Sequence, residues 1–174
     1  YLKKAAHTSA ACNPRLLIAD EPTTALDVTI QAQVLKLVRD MQDDFNLSLI
    51  LITHDLGVIA NMVSYVYVMY LGKVVEAASV EEIYNNPKHP YTKALLNSIP
   101  KITGNVDKLS SIRGSVPDSY TLPSGCSFHP RCDELKGQMC FNEIPTSTMV
   151  EEEHYVSCFH YTGEGVEEDA EIAK

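Results

Sequence analysis

Leu16-Leu-Ile-Ala-Asp20-Glu21-Pro22-Thr23-Thr-Ala-Leu-Asp27 is the stretch on which the reading of this chain turns. Arg15 to Asp20 is a short apolar run ending in acid, the pattern of a buried parallel strand. Beyond it Ile30, Val34, Leu37, Val38, Met41 and Phe45 recur at spacings of three and four, which predicts one apolar helix face. Gln31, Lys36, Arg39 and Asp40 are left for solvent or polar neighbours. Leu47-Ser-Leu-Ile-Leu-Ile-Thr53 reads as the next buried strand. The unit is therefore strand, helix, strand, with a right-handed crossover and parallel strands expected. The fold class read from this is α/β.

Further along, a loop and short helix are expected over 54–61. Tyr65 to Leu71 and Lys73 to Ala77 are β-rich and meet at Gly72, most simply as an edge hairpin. Val80 to Tyr84 reads as a short helix, and Pro90 can open a helix over Tyr91 to Ser98 that Pro100 stops. From Lys101 onward Gly, Pro, Ser and four cysteines dominate with little periodicity. That predicts a loop-rich extension held by something other than a large apolar core.

The 174 residues carry a net charge of −9 at a pI near 5.0, which argues against a nucleic-acid partner, because that affinity rests on lysine and arginine neutralising phosphates. No run approaches the ~18 consecutive apolar residues of a membrane-spanning helix. Tyr1 to Ala10 has two lysines but no continuous apolar stretch behind them, so no secretory signal is read and a cytoplasmic chain is expected. The last eleven residues sum to −4 and are expected to form a solvated, disordered tail.

Asp20 and Glu21 stand where α/β folds bind ligands, outside the C-terminal end of a strand. Asp20 suits a Mg²⁺ shell, since a metal on substrate phosphates takes only one or two protein carboxylates, and Glu21 is then free to accept a proton from water. Taken alone, a solvated strand end is the better account of the pair. The second strand changes the balance, because Thr53-His54-Asp55 ends it and puts polar groups on the same edge.

With these motifs in order, the chain resembles the ATP-binding subunits of ABC transporters. Leu17 to Pro22 looks like their Walker B strand with its catalytic glutamate, Ala25-Leu-Asp27 like the D-loop, and Thr53-His54-Asp55 like the switch-histidine loop. The resemblance implies that Asp20 orients Mg²⁺, Glu21 polarises the hydrolytic water, His54 contacts the γ-phosphate and Asp27 couples two nucleotide sites across a dimer. Read without it, His54 is a strand-end cap or surface histidine and Asp27 a helix N-cap, a role compatible with the other. The family's Gly-x-x-x-x-Gly-Lys loop does not occur: the only Gly-Lys, Gly72-Lys73, has Tyr67 where the first glycine belongs. The Q-loop and the Leu-Ser-Gly-Gly-Gln signature are also absent, and the resemblance begins near Ala11. A C-terminal portion of a longer subunit is thus expected, without ATP hydrolysis of its own, because its carboxylates cannot replace the backbone donors and lysine of a phosphate cradle.

Lys88-His-Pro-Tyr-Thr-Lys-Ala-Leu-Leu and Gly125-Cys126-Ser-Phe-His-Pro-Arg-Cys132, followed by Cys140 and Cys158, look like the C-terminal extension of the oligopeptide and dipeptide importers, shared with nickel importers. His89-Pro-Tyr suggests no chemistry beyond a rigid turn entering a helix. Four clustered cysteines in a cytoplasmic chain point to metal rather than disulfides, while Cys12 stands apart as a small apolar residue. No close Cys-x-x-Cys pair occurs, which weakens zinc without excluding it. A four-iron four-sulfur cluster also takes four thiolates, and the resemblance favours it. The cluster is taken as structural, with redox sensing the alternative. The expected organisation is an ATPase portion over 1–86, an extension over 87–162 with metal ligands Cys126, Cys132, Cys140 and Cys158, and the tail over 163–174. The implied partners are a second ATP-binding subunit, two transmembrane permease subunits and, indirectly, a substrate-binding protein, at the inner face of the membrane. The transported substrate stays open among dipeptide, oligopeptide and nickel. A metal-binding or redox-responsive module retaining part of an ATPase fold is the competing class.

Overall fold

The computed structural model describes residues 14–99, 112–118 and 120–162. Cys12 and the acidic tail expected over 163–174 lie outside them. The chain divides into two compact units, Tyr1–Val63 and Ser64–Lys174.

In the first unit β1 (Leu16–Asp20), α1 (Val28–Phe45), β2 (Ser48–Ile52) and α2 (Leu56–Met62) follow in order. The strands pair in parallel, from Leu16 opposite Ser48 to Asp20 opposite Ile52, as a strand–helix–strand sequence dictates. The Asp27 side chain accepts the Ile30 N–H at 3.0 Å and starts α1, a cap worth about 1 kcal/mol. Asn46 ends it in the left-handed conformation, φ 49°, with its N–H on the Gln42 carbonyl. Of the six apolar positions read from the periodicity, Val34, Val38 and Met41 are buried and Ile30, Leu37 and Phe45 partly so. Met41 and Leu47 centre an apolar cluster completed by Leu17, Leu37 and Phe45. Alternation along the strands sends Leu16, Ile18, Ile50 and Ile52 to the other face, where they are 46–60% exposed.

The second unit contains β3 (Tyr65–Tyr70), β4 (Lys73–Ser79), α3 (Val80–Asn85), α4 (Pro90–Asn97), a 3₁₀ turn (His129–Arg131), α5 (Met139–Asn142), β5 (Thr148–Glu151) and β6 (His154–Val156). The expected hairpin forms, turning through Leu71 and Gly72, both at positive φ. It is not an edge hairpin on both sides, however. The sheet runs β3-β4-β6-β5, and β6 pairs antiparallel with β4 through Glu76 opposite Val156 and Ala77 opposite Tyr155. The continuous burial of Val75, Glu76, Ala77 and Ala78 follows from that central position. The segment beyond Lys101 therefore contributes two strands to the sheet as well as loops. Ser79 caps α3 by accepting the Glu82 N–H, and Pro90 occupies the first turn of α4. Among the described residues no helix is long and apolar enough to cross a membrane.

Candidate functional site

The end of β1 is held against the end of β2 by one more parallel-type hydrogen bond, from the Glu21 N–H to the Ile52 carbonyl at 2.8 Å. The chain then turns sharply, with Glu21 at φ 43° and Ala25 at φ 61°. Non-glycine residues in the left-handed region cost energy and persist where the surroundings hold them. Here the turn brings the Thr24 hydroxyl to the Glu21 carboxylate, donating to Oε2 at 2.8 Å. The other oxygen, Oε1, lies 3.1 Å from His54 Nδ1. Thr24 first and His54 second hold the Glu21 carboxyl below the usual carboxylate range, although both Glu21 and His54 face solvent.

The four expected residues are thus placed unequally. Glu21 and His54 meet; Asp20 is exposed at the end of β1; Asp27 is engaged as the cap of α1. Asp55 sets the loop that carries His54, accepting the Gly57 N–H at 2.9 Å and the Gln31 amide at 3.0 Å, while its own N–H donates to Thr53 Oγ1. Gln31 therefore ties α1 to the histidine loop. Thr24 and Gln31 were not singled out from sequence: adjacent threonines give no sign of which hydroxyl turns inward, and Gln31 reads as an ordinary polar position on a helix.

In the second unit all four cysteines expected to bind metal line one cavity, together with Phe128, Leu135 and Phe159. Cys140 and Cys158 are buried, Cys126 and Cys132 partly so, and none is in a disulfide. Gly125, at φ +67°, packs its α-carbon against the Cys140 and Phe141 backbone so closely that a Cβ would lie 2.7 Å from the Cys140 carbonyl oxygen. The Cys126 N–H can then reach that carbonyl at 3.0 Å. Cys140 Sγ accepts the Lys136 N–H at 3.3 Å, and the neighbouring backbone of Phe128 and His129, Glu134 and His160 favours the thiolate at Cys126, Cys132 and Cys158 without outweighing burial. Burial pushes the Cys126 and Cys158 thiols up and Cys132 to about 11. A bound cation reverses this, because it takes over the thiolate charge.

Four thiols on one cavity are a donor set of the kind that metal centres use. Tetrahedral zinc with Zn–S of 2.3 Å needs sulfurs about 3.8 Å apart. Among the described residues the grouping of three or more ligand atoms within 4.8 Å of one another is Glu82, Glu151 and His154, and no three thiols close to that spacing. A cuboidal cluster, with each thiolate on a different iron, holds its sulfurs farther apart, and N–H groups on sulfur tune such centres. His129 and His160 each direct one ring nitrogen to a backbone carbonyl, of Cys126 and Glu134 respectively.

Sequence comparison supplies the family in which this geometry stands. The profile of the oligopeptide/dipeptide transporter C-terminal region matches residues 75–140. The chain belongs to the family of ATP-binding proteins of oligopeptide and dipeptide ABC transporters. It is 52% identical over 158 residues to the oligopeptide transport ATP-binding protein AppD of Bacillus subtilis, covering 91% of this chain and 48% of that protein. The dipeptide transport ATP-binding protein DppD of Escherichia coli is 45% identical over 151 residues, 87% of this chain and 46% of its own length. The chain spans about half the length of the curated relatives it matches.

Proposed function

We propose that this chain supplies the hydrolytic strand edge and the cysteine-bearing extension of an ATP-binding subunit in a peptide-importing ABC transporter. The observation that carries the reading is the Glu21–His54 pair, 3.1 Å apart at the ends of adjacent parallel strands, in a chain of this family. Glu21 accepts the proton of the attacking water, and the Thr24 hydroxyl fixes its carboxylate. His54, with Nδ1 on Glu21, keeps Nε2 for a γ-phosphate oxygen. Asp20 would hold Mg²⁺, which supplies charge neutralisation at the phosphates. Asp27 couples the two nucleotide sites across a dimer while its carboxylate caps α1.

The phosphate cradle and signature motif needed for hydrolysis are not in these 174 residues, so activity belongs to an assembled subunit pair. That pair docks on two permease subunits at the cytoplasmic face of the membrane and serves a substrate-binding protein. Residues 1–86 form the ATPase portion, 87–162 the extension and 163–174 a tail. Cys126, Cys132, Cys140 and Cys158 hold a four-iron four-sulfur cluster that cross-links the extension, which supplies folding free energy where apolar core is sparse.

The test uses a transporter whose subunit carries this sequence. Glu21→Gln is expected to lower ATP hydrolysis at least ~100-fold, the range of a lost general base, with ATP binding retained. Undiminished hydrolysis overturns the assignment. For the centre, protein purified without oxygen is expected to contain about four iron and four sulfide per chain, as the cuboidal formula requires. Both are lost together in Cys126→Ser; zinc in place of iron overturns the cluster.

A further inference from the structure

A second cluster of ligand-bearing side chains lies away from the cysteines, where α3, β4, β5 and β6 come together. Glu76 of β4 and His154 of β6 are fully buried, 1% and 0% exposed. Glu76 Oε1 accepts the Lys88 N–H at 2.7 Å and lies 2.8 Å from His154 Nε2; Oε2 accepts the His89 N–H at 3.0 Å. A carboxylate serving as acceptor throughout requires Nε2 to carry the hydrogen. The bare nitrogen of the neutral ring is then Nδ1, which is buried and has no hydrogen-bond partner.

That nitrogen points at two acids. Nδ1 is 3.8 Å from Glu82 Oε2, and the ligand atoms of His154, Glu82 and Glu151 all lie within 4.8 Å of one another. A proton on Nδ1 does not satisfy the arrangement, because 3.8 Å is too long for a hydrogen bond. A metal ion suits that separation: with bonds of 2.0–2.1 Å, ligand atoms stand about 3.3 Å apart in a tetrahedral shell and about 4.1 Å across a linear pair, and the 3.8 Å between Nδ1 and Glu82 Oε2 falls between the two. The charges agree, since among the charged side chains Glu76, Glu82 and Glu151 are offset by Lys88, whose Nζ sits 2.6 Å from Glu151 Oε1; the neutral Asn86 amide, which donates to Glu82 Oε2 at 2.9 Å and to Glu151 Oε2 at 3.1 Å, bridges the two acids and gives way to the ion. A dication neutralises the remainder. Glu76 completes the pattern as the outer carboxylate that fixes tautomer and ring orientation in carboxylate–histidine–metal triads.

We propose that His154 Nδ1, Glu82 and Glu151 form a binding site for a first-row divalent transition-metal ion, oriented by Glu76 and contested by the Lys88 ammonium. One imidazole and two carboxylates suit zinc or manganese, and water completes the shell. The ion pins α3 to the β5–β6 hairpin. The site is independent of the cysteine centre and of the nucleotide reading, and nothing in its argument draws on either.

Mn²⁺ is the probe, because oxygen and imidazole ligands take it while thiolates favour softer ions, which leaves the cysteines out. The intact chain is titrated with Mn²⁺, with free ion followed by electron paramagnetic resonance and bound ion by pulsed measurement of nitrogen coupling. One bound ion coupled to a single imidazole nitrogen is expected. Its Kd should rise at least tenfold in Glu82→Gln/Glu151→Gln, whose side chains are 37% and 46% exposed, so the fold survives. The same ion should persist in Glu21→Gln, which removes the acid of the strand-end pair, and bind several-fold tighter in Lys88→Met. No uptake at millimolar Mn²⁺, uptake undiminished in the double variant, or loss in Glu21→Gln overturns the site. Unchanged affinity in Lys88→Met overturns the competition.

Discussion

Thr24 shows how one hydroxyl sets the chemistry of an exposed acid. Its hydrogen bond is the first cause of the depressed Glu21 pKa, ahead of His54. A depressed carboxyl favours the charged form in the folded chain, so its contribution to stability is present above the unfolded value and disappears as pH falls through the folded one. Thr24→Val should move the Glu21 titration up toward the ordinary carboxylate range, as read by carboxyl-carbon NMR; an unmoved midpoint refutes the role. Gly125 acts through sterics instead. Gly125→Ala places a methyl 2.7 Å from the Cys140 carbonyl oxygen at a φ of +67°, which should cost at least about 1–3 kcal/mol. Thermal denaturation should show this loss, and metal content of the cysteine centre should fall with it. At this scale sequence was informative where the chemistry was paired. Glu21 with His54, and the four cysteines on one cavity, could be named beforehand, but the threonine and the glycine act through turn geometry that spacing does not encode.

Among the elements, α4 has the cap with the most informative chemistry. His89 Nδ1 accepts the Tyr91 N–H at 3.0 Å, so the neutral ring is the capping form. Burial, with Lys93 nearby, lowers the His89 pKa to about 3. The unfolded chain takes up a proton near 6.5 that the folded chain refuses, so stability is full above about 6.5 and declines down to about 3. A loss of a few kcal/mol is expected across that window. Urea unfolding at pH 7 and pH 4.5 should show it, and His89→Asn, which keeps a capping acceptor without a titrating ring, should flatten it. Pro90 announced this helix in the sequence; the histidine's part in it did not show, because a buried capping ring and a turn residue look alike in one dimension. α1 was legible throughout, its 18 residues presenting an unbroken 3.6-residue period. β5 and β6 were not, being four and three residues long within a polar, cysteine-bearing stretch. Strands that short carry too few alternations to register.

For the whole molecule, the two units differ in how far apart in the chain their strands lie. In the first, β1 and β2 are joined through a single helix, and the parallel pair forms from neighbouring elements. In the second, β6 closes against β4 from far downstream: the Glu76–His154 contact spans 78 residues. Contacts of that separation form slowly, since the intervening chain must be ordered before the contact returns any stabilisation. Cys158 follows β6 by two residues. On a ribosome the chain is made from its N-terminus at about 5–20 residues per second. Three of the cysteines are therefore translated while β4 still lacks its neighbour, and the fourth arrives with the strand that completes the sheet. Assembly of the full thiol set, and with it the proposed loading of metal, is in this way timed to the same late moment of synthesis as closure of the sheet, and a nascent chain stalled before residue 154 has neither.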